Sequence, residues 1–567
     1  MSHQSPRTGT NLRRRRLRRT ARTRPTLSTL ILALVAWAPG PSNAGTAEPD
    51  PPPHRSRLGI NLSGIADWGT EHPFCDAFKT ARPWISQRNG APWGQGPALD
   101  LDELGWVRRL EPGTWAETLL FTAGHAPKGT YTCLYDGEGT LEIHGGGRIT
   151  QRAPGRLEFE LLPEKGALFL QLRATHPDRP VRNIQVLMPD CHAGSDPGPF
   201  RPAFLDRWRG FNTIRFMDWM ETNNSEQRTW SDRPRPEDAT WSRRGVPVEI
   251  MIELCNRLGA NPWFCMPHQA DDDYVRSFAR TVRERLRRDL VVYVEYSNEV
   301  WNSLFAQHRY AAGQGRRLGF ADTDWEAAWR FNAWRARQIH GIWEEVFGGR
   351  SRIVRVIASQ AANPYVTEQT LRFRDSARHF DALAIAPYFS LNVAPQRSGH
   401  VPPAGEVASW SVEQLLDHVR RHSLPEAVEH MRAQRALAEK HGLRLIAYEA
   451  GQHLVGIQGA ENNDALTRLL QAANRHPAMG GLYQQYLDAW LEVAGGDLCC
   501  LFSSCGAYSK WGSWGLLEGS DQTTSPKYDA VIRWNRSHPM PATAEINAMR
   551  NPTAARDTGR QLPPTAR

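Results

Sequence analysis

An α/β chain built as a closed barrel of eight parallel strands, with a small β-sandwich inserted between barrel strands 1 and 2, is the fold class this sequence predicts. Three observations predict it. From Pro199 onward, apolar strand-like runs alternate with amphipathic helical stretches, the signature of a parallel sheet wrapped by helices. Eight such strands can be counted, which favours a closed TIM-type (β/α)8 barrel over an open doubly wound sheet, and no glycine-rich phosphate loop supports the open form. From about Trp106 to Pro189 the rhythm is different: short alternating β runs between Gly/Pro turns, with no helical period.

The first barrel strand is expected in LGINLSG, from Leu58 to Gly64. The β runs that follow include RLEFELL, in which Leu157, Phe159 and Leu161 point one way and Glu158 and Glu160 the other. The insertion is expected over 99–190, leaving a first barrel segment at 58–98 and the remainder at 191–537. Strand two is TIRFMDW. A helix then carries Val248, Met251, Cys255 and Leu258 on one face and stops at Gly259, a residue suited to the left-handed position after a helix. Strand three, NPWFCMP, follows it. The next helix repeats Phe278, Val282 and Leu286; the acidic run Asp271, Asp272 and Asp273 reads as its start, because the alternation, glycine and closing glutamate of a calcium loop do not follow. Strands four to eight are LVVYVEYSNE, RIVRVIAS, DALAIAPYF, LRLIAYEAG and CCLFSS. Before strand seven, Ser423 and Glu426 stand at capping-box spacing and Gly442 marks a helix stop.

Residues 1–44 hold nine arginines and no acidic side chain, followed by the apolar run Leu30 to Ala38 and the small-residue site Ser42-Asn43-Ala44. That is the pattern of a secretory signal peptide, and the apolar run is shorter than the roughly 20 residues of a membrane span. The chain's formal charge of +9 equals those nine arginines, so the remainder is balanced and implies no polycationic groove for nucleic acid. A secreted or periplasmic product without a stable membrane span is expected, flanked by a Pro-rich linker at 45–57 and a tail at 538–567. All eight cysteines follow the leader, where an oxidising compartment permits disulfides; their pairing is open. Cys499, Cys500 and Cys505 match no paired-cysteine zinc spacing, so buried thiols or structural disulfides are expected and no metal.

A barrel of this kind places its chemistry at the C-terminal ends of its strands, where the loops form the open mouth over a packed interior. Two strands here run into a glutamate, strand four at Glu299 and strand seven at Glu449. Singly, each would be an ordinary solvated side chain. Together, flanked by aromatics and amides, they point to paired-carboxylate chemistry.

With Asn298-Glu299 in EYSNEVWN and Glu449 in AYEAG, 150 residues apart, the barrel resembles the clan A superfamily of retaining glycoside hydrolases. The resemblance covers Leu58 to Gly64 and Pro199 to Arg536, not the β-rich insertion, and it assigns no family. It implies that Glu449 is the nucleophile and Glu299 the acid/base, acting without a cofactor on β-linked sugars of an extracellular polysaccharide. It also implies that Arg215 stands beside the nucleophile and that Asn298 binds the 2-hydroxyl of the sugar. Tyr388, ending strand six, is a candidate second donor to Glu449, against a packed core ring. His268, ending strand three, is either a sugar ligand or a satisfied buried histidine. Trp301, Trp511 and Trp514 are candidate sugar platforms, since aromatic faces stack on the C–H surfaces of sugars, against core packing. A carbohydrate-binding protein on a glycosidase-like barrel and a transglycosylase are the rival functions. The inserted sandwich either binds glycan or braces the barrel.

Overall fold

The computed structural model describes residues 56–122, 124–191, 198–399 and 401–540. The expected signal peptide, all but the last two residues of the linker, and the tail beyond 540 lie outside them. Among the described residues no helix is long and apolar enough to cross a membrane.

Eight parallel strands close the barrel in chain order: β1 Leu58–Asn61, β2 Thr213–Arg215, β3 Asn261–Met266, β4 Val292–Tyr296, β5 Ile353–Ala358, β6 Ala382–Ile385, β7 Arg444–Ala447 and β8 Cys499–Leu501. All eight fall in the runs picked out from the sequence. Side chains alternate along each strand. One parity fills the barrel interior with Trp263, Cys265, Tyr293, Val356, Ala384 and Cys500, among others, while the other packs outward against the helices. The register pairs Asn61 with Arg215, Arg215 with Trp263 and Cys265 with Glu295, so polar groups from β1, β2 and β4 enter one interior layer. Gly59, two residues before Asn61 on β1, has no room for a side chain, because a Cβ there would collide with Cys500 Sγ.

The helix boundaries at Gly259, Asp271 and Gly442 follow the local signals read from the sequence, and one proposed start does not. Helix Val248–Leu258 ends on Gly259 at φ 65°, the left-handed conformation that glycine adopts without steric cost. Helix Asp272–Arg285 is capped by Asp271, whose side chain accepts from the Tyr274 N–H, so the acidic run does start a helix. The exception is the capping box expected at Ser423 and Glu426. Ser423 lies in helical conformation with no side-chain cap, inside a continuous helical stretch that begins at Val412 and includes a π-helical turn at Val419–Ser423 before Leu424–Lys440. The working box is Ser411 with Gln414, where the helical stretch itself begins. Gly442, at φ 69°, follows the helix end as expected.

Between β1 and β2 the chain builds two four-stranded antiparallel sheets. One orders Ile85–Arg88, Thr114–Phe121, Leu168–Thr175 and Gly139–Gly145; the other orders Arg182–Leu187, Thr130–Asp136, Arg156–Leu161 and Gly147–Ala153. Leu157 and Phe159 face Leu120, Leu170 and Leu172 in a core separate from that of the barrel. The sheets begin earlier than the expected boundary at 98/99, since Ile85–Arg88 pairs with Thr114–Phe121. ISQR is short and half polar, and its β character comes from that pairing rather than from its own composition.

The outgoing and returning chains meet at a neck. The Cys75 N–H donates to Pro199 O at 2.8 Å, the Met188 N–H donates to Cys75 O at 2.9 Å, and a Cys75–Cys191 disulfide closes 116 residues of chain. The other six cysteines are buried free thiols. Beyond the neck, the turn after Phe121 reaches the loop that follows β8: His125 lies 2.6 Å from Asp521 Oδ1, and Ser520 Oγ donates to His125 O at 3.0 Å.

Candidate active site

The chain leaves β4 through an unusual turn. Ser297 (φ 58°) and Glu299 (φ 43°) both adopt the left-handed region, which costs of order 1–3 kcal/mol for a residue with a side chain. The Ser297 N–H is held by Met266 O of β3 at 2.8 Å. Strain of this kind persists only when neighbouring contacts over-determine it, and here it aims Asn298 and Glu299 differently. Asn298 is buried. Glu299 stands partly open at the barrel mouth.

Glu449 follows Tyr448, two residues beyond the end of β7. Its Oε1 accepts from Arg215 Nη1 at 2.9 Å and its Oε2 from the Tyr388 hydroxyl at 3.0 Å. Arg215 is wholly buried and its fork is fully used. Nη1 also donates to Asn61 Oδ1 at 3.0 Å, and Nη2 donates to Glu295 Oε2 at 3.0 Å and to Asn298 Oδ1 at 2.8 Å. The guanidinium lies 5.0 Å from the centroid of the Tyr448 ring and 5.4 Å from that of Trp263. Burial disfavours its charge, yet the facing carboxylates hold its pKa above the ordinary arginine value. Burial raises the pKa of Glu449 as well, and the Arg215 charge and the two donated hydrogen bonds oppose that shift.

Glu299 has a different shell. Its Oε1 accepts from the Tyr448 hydroxyl at 3.0 Å and its Oε2 from Asn302 Nδ2 at 2.9 Å, and among the described residues no cation is within ion-pair distance. Burial first, and then the negative charge of Glu449, push its carboxyl up to about 7. Two carboxylates thus share one mouth, one held by a guanidinium and one favouring its proton. This division suits a nucleophile and a general acid.

Of the residues singled out from the sequence, Arg215, Tyr388, Asn298, Glu299 and Glu449 come together. Asn298 is already engaged, accepting from Arg215 and donating to Asn223 Oδ1 at 3.1 Å, so one amide N–H remains for a substrate. Trp301 lines the mouth beside Glu299 and Asn302. Trp514 packs 6.1 Å from Phe502, which in turn lies 6.5 Å from Tyr388. Trp511 is 62% exposed, with Lys510 Nζ 4.8 Å from its ring centroid. His268 touches neither carboxylate. It is buried edge-on to Tyr310 at 5.3 Å, and burial pushes its pKa down to about 4.

Sequence reasoning missed Glu295, Tyr448, Asn61 and Asn302. Glu295 carries a readable signal, since it shares the inward parity of Tyr293 on β4, a position where a carboxylate requires a partner. It receives Arg215, and Trp263 Nε1 donates to it at 2.9 Å. Asp218 and Glu221, in the loop after β2, were also missed. Burial pushes both up to about 7, and the charge of Glu449 adds to the shift of Asp218.

The fold and site define a closed parallel α/β barrel with a paired-carboxylate centre at its C-terminal mouth. No known protein family matches the chain, and no curated protein matches it with significance. Among solved structures, a Bacteroidetes-affiliated GH5 cellulase is similar at 11% identity and a TM-score of 0.33, covering 62% of this chain and 86% of its own. GH26C from Muricauda sp. MAR_2010_75 is similar at 10% identity and 0.34, covering 62% and 81%. A 4-O-α-L-rhamnosyl-β-D-glucuronidase from Fusarium oxysporum 12S is similar at 11% and 0.35, covering 58% and 63%. Likeness at this level assigns neither family nor activity, and the functional reading rests on the geometry.

Proposed function

We propose that this chain is a retaining glycoside hydrolase acting on β-linked sugars of an extracellular polysaccharide. The observation that carries the reading is the unequal treatment of two neighbouring carboxylates. Glu449 is fixed by Arg215 and Tyr388, and Glu299, without a cation of its own, is pushed up to about 7. In the first step a Glu449 oxygen attacks the anomeric carbon, the glycosidic C–O bond breaks, and Glu299 gives its proton to the departing oxygen. In the second, water attacks the same carbon, Glu299 takes a proton from it, and the bond to Glu449 breaks. Asn298 offers its remaining N–H to the sugar, and the Arg215 charge favours the anion of the nucleophile against the burial that raises its pKa. Export agrees with the arginine-rich leader and with the Cys75–Cys191 disulfide, a bond that an oxidising compartment favours.

The test is a glycan hydrolysis screen with wild type, Glu299→Gln and Glu449→Gln side by side. Near-wild-type release of reducing sugar by either variant refutes the assignment. Azide restores turnover to Glu449→Gly with inverted product and to Glu299→Ala with retained product if the roles are as stated.

A further inference from the structure

A cavity of about 740 Å3 opens beside Glu299, within the range of about 300–1,000 Å3 common for ligand sites. Its walls come from the loops after β4, β5 and β6 and from the helical stretch that begins at Val412. That stretch presents His418, His422, Glu426 and His430 to the cavity, at a strict spacing of four residues. Four residues overshoot the 3.6-residue turn of an α-helix, so such a series drifts round the axis. The wider turn at Val419–Ser423 counteracts the drift between His418 and His422. The His418 and His422 rings lie 4.6 Å apart, and the side chains of His422, Glu426 and His430 have no hydrogen bond or ion pair among the described residues. Across the cavity, the buried Trp301 Nε1 and His453 Nδ1 also lack partners.

We infer that this helix face is the wall of a leaving-group subsite for uncharged sugar units. The inference rests on the glycosidase reading, which makes Glu299 the group that protonates the leaving oxygen. A groove that runs from Glu299 over the β4, β5 and β6 loops is then the path of the departing chain. Imidazoles and a carboxylate offer mixed donors and acceptors, which suits hydroxyl groups. Among the described residues the lining contains Glu299 and Glu426 but no lysine or arginine, so a sugar carboxylate there would face like charge without a permanent cation to offset it.

The experiment follows the histidine side chains by 15N-edited NMR in the full chain carrying Glu449→Gln, with resonances assigned through His418→Gln, His422→Gln and His430→Gln. Cellohexaose, xylohexaose, mannohexaose and a β-linked oligomannuronate are titrated in turn. At least one neutral hexasaccharide shifts the His422 and His430 signals while that of His340, buried against Val294 O, stays fixed. His422→Ala and Glu426→Ala each weaken its binding about three- to tenfold. No shift with any neutral hexasaccharide, or tighter binding of the oligomannuronate, overturns the inference. The glycosidase reading fails separately, if a hexasaccharide that shifts these signals is left uncut by wild type; cleavage without the shifts removes the subsite alone.

Discussion

Arg215 Nη1 lies 2.9 Å from Glu449 Oε1 while Nη2 of the same guanidinium lies 3.0 Å from Glu295 Oε2. One buried cation therefore spans two carboxylates, and only Glu449, just beyond β7, reaches the mouth. Glu295 fixes the arginine from the barrel interior so that the other nitrogen is presented to Glu449. A lysine ammonium cannot divide itself this way, because the geometry requires a planar fork. Arg215→Lys is expected to lower kcat about 100-fold on any glycan the wild type cleaves. With less support for its anion, the pKa of Glu449 rises, so the acidic limb of the pH–rate profile moves to higher pH. An unmoved limb would show that Arg215 does not set the charge of Glu449.

Glu295→Gln removes one carboxylate and leaves the guanidinium with a single anionic partner. Losing one member of a buried pair costs about 3–5 kcal/mol, and the Trp263 Nε1–H still finds an amide oxygen in place of the carboxylate. The expected destabilisation lies at the lower end of that range, read from urea denaturation. Turnover falls as well because Arg215 is less firmly aimed. Loss of turnover with unchanged stability would mean that Glu295 acts on the chemistry directly.

Tyr448→Phe removes the hydroxyl that donates to Glu299 Oε1, an interaction that lowers the pKa of Glu299. Activity under the proposed mechanism needs Glu299 protonated, so it falls as pH rises through about 7 in the wild type. Without the hydroxyl the proton is held more tightly, and this basic limb moves to higher pH. A downward move would place the hydroxyl on the protonated form of the carboxyl instead.

The neck of the sandwich offers a test outside the site. Replacing both Cys75 and Cys191 by serine frees a 116-residue excursion in the unfolded chain. Stability is expected to fall by about 2–5 kcal/mol in denaturant unfolding, and added reductant lowers the wild type to the same level.

The parts legible in the sequence were those fixed by local pattern. Strand runs such as NPWFCMP and the glutamates at 299 and 449 declare themselves through periodicity and position, and Gly259 and Asp271 through capping chemistry. What escaped depends on contacts distant in the chain. Ile85–Arg88 is a strand because Thr114–Phe121 pairs with it, and Tyr448 matters because β7 carries its hydroxyl to a residue on the β4 loop. Ser423 and Glu426 show the opposite failure: the capping pattern is present, but the π-helical turn continues the helix through it and leaves Glu426 on the cavity wall.

His340 gives a prediction whose sign follows from its surroundings. It is buried on the long helix Asp324–Phe347, its Nε2 is 3.0 Å from Val294 O, and its Nδ1 has no partner among the described residues. Burial pushes its pKa down from 6.5 to about 4. Between those values the unfolded chain binds a proton that the folded chain refuses, so stability rises with pH. The contribution is complete above 6.5 and is lost as pH falls toward 4. The slope from one such group is at most about 1.4 kcal/mol per pH unit. His340→Gln keeps an N–H for Val294 O and cannot titrate, so unfolding free energies measured from pH 4 to 6.5 should show a flatter dependence by up to that amount. His72 and His268, pushed down to about 3 and about 4 by burial, keep part of the slope in the variant. An identical slope in wild type and variant would mean that His340 is protonated in the folded protein, with Nδ1 partnered by a group the helix does not supply.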